Sequence, residues 1–149
     1  MKIYIVNRQK DLSIRAFAVK PIVKEVLRNE ELETDEVSIH FVSTAEICRL
    51  HEEFFNDPSP TDCISFPLDP LDEKDSGYHI LGEVFICPQT ALDYDEKAAY
   101  TEVTLYLVHG LLHLLGYDDI DVKAQRKMRA AEKKHMELLA SKNLLLKAS

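Results

Sequence analysis

An α+β fold is predicted, a small mixed β-sheet packed with helices, with one central buried helix at its core. Three observations predict it. Runs that read as strands fall mostly in the first half of the chain, while runs with helical spacing dominate the second. Around residues 101–115 a helical pattern is apolar nearly all round, through Val103, Leu105, Leu107, Val108, Leu111, Leu112, Leu114 and Leu115, as a helix enclosed by other elements must be. With 149 residues, 46% of them hydrophobic, the chain is long enough to bury a real core, and one domain spanning 1–149 is expected.

Taken in order, residues 2–6 form a first strand of β-branched and aromatic residues, ended by the polar stretch 7–10. A helix follows with Ile14, Phe17, Ala18, Ile22, Val26 and Leu27 at helical spacing; Pro21 kinks it or starts a segment, because it has no N–H to donate. Residues 36–42 alternate, Val37, Ile39 and Phe41 on one side and Ser38 and His40 on the other, which predicts a half-buried strand. Ser43 with Glu46 is a capping-box pair that starts a helix over 44–54, burying Ile47, Leu50 and Phe54. His51 on that helix is read as an ordinary helical histidine, outside any site.

The proline-rich turn 56–61 leads to a strand over 62–68 that Pro67 interrupts or ends, then to a polar loop over 69–77. Residues 80–87 form another strand, in which Gly82 marks a bulge or a close approach, and Pro88 stands at a first helical position. Helix is expected over 90–99, over 101–115 and over 122–140, with fraying from about residue 141.

The chemistry is concentrated between Thr104 and Asp121. His109 and His113 are four residues apart, so a helix stacks them on one face, where two imidazole nitrogens can meet one metal ion. Gly116 offers a left-handed helix stop, and the turned chain brings Asp119 back as a third ligand. Three protein ligands leave a position open, the mark of a catalytic metal centre rather than a closed structural one. The spacing matches the framework of metzincin proteases, H-E-x-x-H-x-x-G-x-x-H, but Gly110 stands where those enzymes carry their general-base glutamate, and no Met-turn is evident, Met128 and Met136 lying in a helical pattern.

A formal net charge of −8 opposes generic binding to polyanions, so any RNA contact must be local, and nothing points to a membrane surface. Cys48, Cys63 and Cys87 form no C-x-x-C pair, and no signal peptide or spanning run is seen, which together predict a cytoplasmic protein. On the last helix Lys123, Arg126, Lys127, Arg129, Lys133 and Lys134 are read either as a phosphate-binding stripe or as a solvated face balanced by Glu132 and Glu137.

H-G-L-L-H-L-L-G-Y-D-D, His109 to Asp119, resembles the H-G-x-L-H-L-x-G-Y-D-H signature of the YbeY family of bacterial endoribonucleases and rRNA maturation factors. P-T-D-C-I-S-F-P, Pro60 to Pro67, and L-G-E-V-F-I-C, Leu81 to Cys87, resemble two further stretches of that family, in the same order. The resemblance implies a zincin-like fold and a metal-dependent endoribonuclease directed at single strands, acting in ribosomal RNA maturation and ribosome quality control. It implies RNA, small-subunit ribosomal RNA in particular, and the ribosome or its proteins as partners. Carried over by position, the zinc ligands are His109, His113 and Asp119, the last replacing a histidine; a carboxylate there makes oxygen-preferring ions such as manganese better competitors. Phe55 stands where the family has an arginine suited to holding a phosphate.

The expected mechanism activates a water at the open metal position and polarises a phosphoryl oxygen with the same ion. Asp118 or Asp62 then orients the water or shuttles protons, while Ser65, backbone amides near Gly82, and Arg126 hold the substrate. Two other classes remain: a ribosome-associated RNA-binding protein with a structural metal and no catalysis, and a metalloprotease.

Overall fold

The computed structural model describes residues 1–72 and 77–148. Its elements are β1 (Lys2–Asn7), α1 (Ala16–Asn29), β2 (Glu36–Phe41), α2 (Thr44–Phe55), β3 (Cys63–Pro67), β4 (Ile80–Ile86), α3 (Pro88–Tyr94), a 3-10 turn (Glu96–Ala98), α4 (Ala99–Leu114) and α5 (Val122–Ser141). The strands lie in the order β1-β2-β4-β3, with β1, β2 and β4 parallel and β3 antiparallel at the edge. This is the small mixed sheet covered by helices that the sequence pattern predicts. Part of the expected polar loop, residues 73–76, lies outside the described residues.

Because side chains alternate along a strand, the register decides which rows face which helix. Ile3, Val37 and Gly82 form one row, Ile5, Ile39 and Val84 the next, Asn7, Phe41 and Ile86 a third. Their apolar members pack against α1 and α4 in the main core. The opposite face carries His40, Phe85, Ile64 and Phe66, and α2 covers part of it through Ile47. Leu50 is half-buried there, but Phe54, expected in the core, is 56% exposed. It meets Phe66 edge-on at 4.8 Å, and Phe66 belongs to the edge strand, beyond which no further strand lies among the described residues.

Other differences have equally local causes. In α1 the buried residues are Val19, Ile22, Val23, Val26 and Leu27, an i, i+3, i+4, i+7, i+8 stripe that leaves Phe17 exposed under the Arg15 guanidinium and Ile14 ahead of the helix. Pro21 sits inside α1 on its exposed side, where water can satisfy the carbonyl that loses its partner. The helix expected over 90–99 is divided: Asp95 is extended and its carboxylate accepts the Lys97 N–H, so α3 stops and a 3-10 turn precedes α4. The chain past 141 is tied down as far as Leu146 rather than frayed. Asn143 turns the chain in a left-handed conformation, and Leu146 returns to the core, donating its N–H to Thr104 Oγ1 at 3.1 Å.

Gly82 is both a bulge and a close approach. The β2–β4 register slips by one residue beside it, its φ is +153°, and a Cβ there would lie 2.5 Å from the Phe66 carbonyl oxygen and 2.8 Å from Leu114. Gly82→Ala therefore combines backbone strain with overpacking, and urea unfolding should show a loss of roughly 1–3 kcal/mol or more. An unchanged midpoint would mean that helix and strand can separate there without cost.

Candidate metal centre

The site begins with how closely α4 lies on the sheet. Gly110 faces β4, where a Cβ would stand 2.5 Å from Val84 Cγ1 and 3.2 Å from Ser65 Oγ, and the Ser65 hydroxyl donates to the Gly110 carbonyl at 2.8 Å. No glutamate fits at this position, so the general base of a metzincin protease is excluded by packing as well as by composition. The same bond commits the Ser65 proton to the helix, leaving its oxygen only as an acceptor for anything else.

With Gly110 against the sheet, His109 and His113 project toward α5 and the loop that follows α4. Gly116, at φ +95°, ends the helix: its N–H goes to the His113 carbonyl and the Tyr117 N–H to the Leu112 carbonyl, the paired bonds of a Schellman motif. The loop returns, held at its far end by Gln125 donating to the Asp119 carbonyl, and by Asp121 capping α5 through the Ala124 N–H. Asp119 Oδ2 thereby stands 3.8 Å from Nε2 of both histidines, which are 2.9 Å from each other.

The protonation of these rings follows from their other nitrogens. His109 Nδ1 donates to Glu132 Oε2 at 2.5 Å, and His113 Nδ1 donates to the Tyr117 carbonyl at 3.0 Å. In the neutral rings both Nε2 atoms then carry lone pairs. Burial, and next the neighbouring His109, hold the His113 imidazole below its ordinary pKa and so favour that neutral form. Two nitrogen lone pairs and a carboxylate converge with no donor between them, an arrangement that a cation complements. Distances of 2.9, 3.8 and 3.8 Å place the equidistant point about 2.1 Å from each atom, inside the roughly 2.0–2.2 Å range of zinc bonds to nitrogen and carboxylate oxygen. The donor set fits zinc.

Glu132 was read from the sequence as balancing a solvated face; it is 5% exposed and bonds both His109 and Arg129. Burial alone would raise its pKa, but the hydrogen bonds from His109 and Arg129 outweigh that and hold it lowered, so it stays an anion behind the ligand. Its i, i+3 spacing from Arg129 looks like a surface ion pair, and only the packing of α5 on α4 distinguishes the two.

Of the other sequence candidates, Asp118 is exposed and its Oδ1 accepts the Ile120 N–H, while Asp62 Oδ1 accepts the Cys63 N–H. Both cap turns. Burial pushes the Cys63 thiol up, and the charges of Asp62, Glu132 and Asp119 add to it, which places those three carboxylates around one region. Arg126 is exposed on α5 and makes no hydrogen bond or ion pair among the described residues. A cavity of about 340 Å³ adjoins His113, lined by His51, Phe55, Thr61, Cys63, Pro67 and others. His51, left out of the site on sequence grounds, belongs to this wall; its i, i+4 relation to Phe55 on α2 was the available signal.

Because Glu132 orients a ligand from behind, Glu132→Gln should weaken metal binding roughly 10- to 100-fold, measured by competition with a chromophoric chelator, with the fold intact by circular dichroism. Unchanged affinity would remove Glu132 from the site.

A family profile described as "Endoribonuclease YbeY" matches residues 4–140. A protein named "Endoribonuclease YbeY" from Protochlamydia amoebophila is 51% identical over 144 residues, covering 95% of each chain. One of the same name from Chlamydia caviae is 38% identical over 152 residues, covering 98% of this chain and 96% of its own. The solution structure of TM1509 from Thermotoga maritima superposes with a TM-score of 0.57 at 25% identity, covering 95% of this chain and 91% of that one. The profile match and these identities agree with the His109 to Asp119 motif, and the chain belongs to the YbeY endoribonuclease family.

Proposed function

We propose that this chain is a metal-dependent endoribonuclease, a single-domain phosphodiester hydrolase that cuts single-stranded RNA in ribosomal RNA maturation and ribosome quality control. His109, His113 and Asp119 hold its one zinc ion, small-subunit ribosomal RNA is the substrate, and the ribosome or its proteins are the partners in the cytoplasm. The observation that carries the reading is the convergence of three acceptor atoms, two of them locked by Nδ1 bonds, on one cation-sized point. Among the described residues no helix is long and apolar enough to cross a membrane.

A bound zinc ion supplies Lewis acidity and a water of lowered pKa. The chain's own groups then orient and move protons. Asp118 and Asp62 each use Oδ1 on a backbone N–H, which leaves Oδ2 to take a proton from the attacking water or return one to the leaving oxygen. Ser65 Oγ accepts from the substrate, and Arg126 neutralises a phosphate further along the strand.

Elemental analysis should find one ion per native chain, lost in His113→Ala and Asp119→Ala. RNA cleavage should fall by more than about a hundredfold in both, beyond the usual cost of removing a supporting residue, and chelation should abolish it while the fold persists. Asp119→His should raise preference for zinc over manganese, since a third imidazole replaces a hard oxygen ligand. Metal-free native protein that cleaves RNA at full rate would end the proposal.

A further inference from the structure

The cavity beside His113 has a wall unlike a phosphate site. His51, Phe55, Thr61, Ser65 and Pro67 line it with His113, and among the described residues its lining contains no lysine, arginine, aspartate or glutamate. At about 340 Å³ it admits a flat heterocycle with room for part of its sugar. An anion would find no fixed positive charge there, whereas a neutral aromatic ring would find apolar surface with a few hydroxyl and ring edges.

Phe55 is the platform. It ends α2 and is 56% exposed, so one face of its ring is open to a ligand. The His51 ring is fixed by Nδ1 donating to the Ser59 carbonyl at 2.8 Å, with its centroid 5.8 Å from that of Phe55 and the planes tilted by 57°. A planar ligand can lie parallel to only one of two rings so inclined, and the more exposed Phe55 offers the larger free face while His51 closes the side. Asn56, in a left-handed conformation with its N–H on the Glu52 carbonyl, ends α2 directly after Phe55 and fixes where the ring leaves the helix.

We propose that this cavity is a nucleobase subsite: a base next to the scissile phosphate stacks on Phe55 while the phosphate lies at the metal centre. The proposal rests on the endoribonuclease reading for its ligand class. It makes stacking, not an ion pair, the grip nearest the reaction, and stacking accepts every base while favouring purines for their larger area.

The test is binding, read independently of cleavage, with zinc-loaded protein and a short single-stranded oligouridine carrying one 2-aminopurine. Saturable quenching of 2-aminopurine is expected for the native chain. Phe55→Ala should weaken binding roughly 5- to 100-fold, the usual effect of deleting one stacking partner, and Phe55→Tyr should restore it. Phe54→Ala, on the same helix but outside the cavity, should leave it unchanged. Equal quenching in Phe55→Ala, no quenching by the native chain, or an equal loss in Phe54→Ala overturns the subsite. Cleavage of plain and abasic oligonucleotides separates the two readings: cleavage by the native chain with the same KM on both supports the nuclease and sinks the subsite. Base-dependent quenching without any cleavage keeps the subsite and sinks the nuclease.

Discussion

The contact on which the rest depends is the one between α4 and β4, where each element gives up a side chain. Gly110 on the helix meets Val84, and Gly82 on the strand meets Leu114, each so closely that a single added carbon would stand within 3 Å of its neighbour. Interiors are packed like solids, so such an approach fixes the rotation of the helix as well as its distance. Rotation is what matters to the chemistry. With Gly110 held to the sheet and its carbonyl taking the Ser65 hydroxyl, His109 and His113 can point only toward α5 and the returning loop.

The third candidate ligand depends on a different anchor. Asp119 lies on a loop, where a carboxylate would ordinarily wander, but two bonds restrain the chain that leads to it. Tyr117 donates its hydroxyl to Glu30 Oε1 at 2.8 Å, and His135, 1% exposed on α5, pairs with Glu30 Oε2 at 2.7 Å. One carboxylate just past the end of α1 thus gathers the loop and α5 together. The Tyr117 carbonyl, fixed by the same side chain's attachment, accepts from His113 Nδ1. Tyr117 joins these two hydrogen bonds through its own covalent frame, and so links Glu30, at the end of α1, to the orientation of the His113 imidazole.

What was legible in the sequence was local. The H-x-x-x-H spacing, Gly116 and Asp119 lie within eleven residues; helix periodicity predicts the histidine pair, and the glycine helix stop predicts the turn that returns Asp119 to it. Strand alternation in β2, the Ser43 cap and the Gly82 bulge were legible for the same reason. Glu132 was not, because its contact with His109 spans 23 residues and its spacing from Arg129 imitates a solvent-facing pair. Phe54 and Leu146 failed in opposite directions: one is apolar but hangs at a sheet edge, the other follows the last helix yet finds a hydrogen-bond partner in Thr104. Each error is a tertiary contact that no periodicity encodes.

Charge distribution then bears on how an acidic chain handles a polyanion. Several of its cations are already engaged: Arg129 with Glu132, Arg28 and Lys142 with Glu25, Arg8 with Glu46, and Lys127 over the Tyr117 ring. Those still exposed on α5, Lys123, Arg126, Lys133 and Lys134, lie on the helix that packs behind the metal ligands rather than in the cavity wall. Close to the candidate metal centre, recognition therefore falls to uncharged surface and to any cation that His109, His113 and Asp119 would hold, and the long-range field of a chain at −8 works against strand capture. Such a division favours a substrate presented by something else, since local contacts can hold a strand that has arrived while the net field slows the capture of a free one.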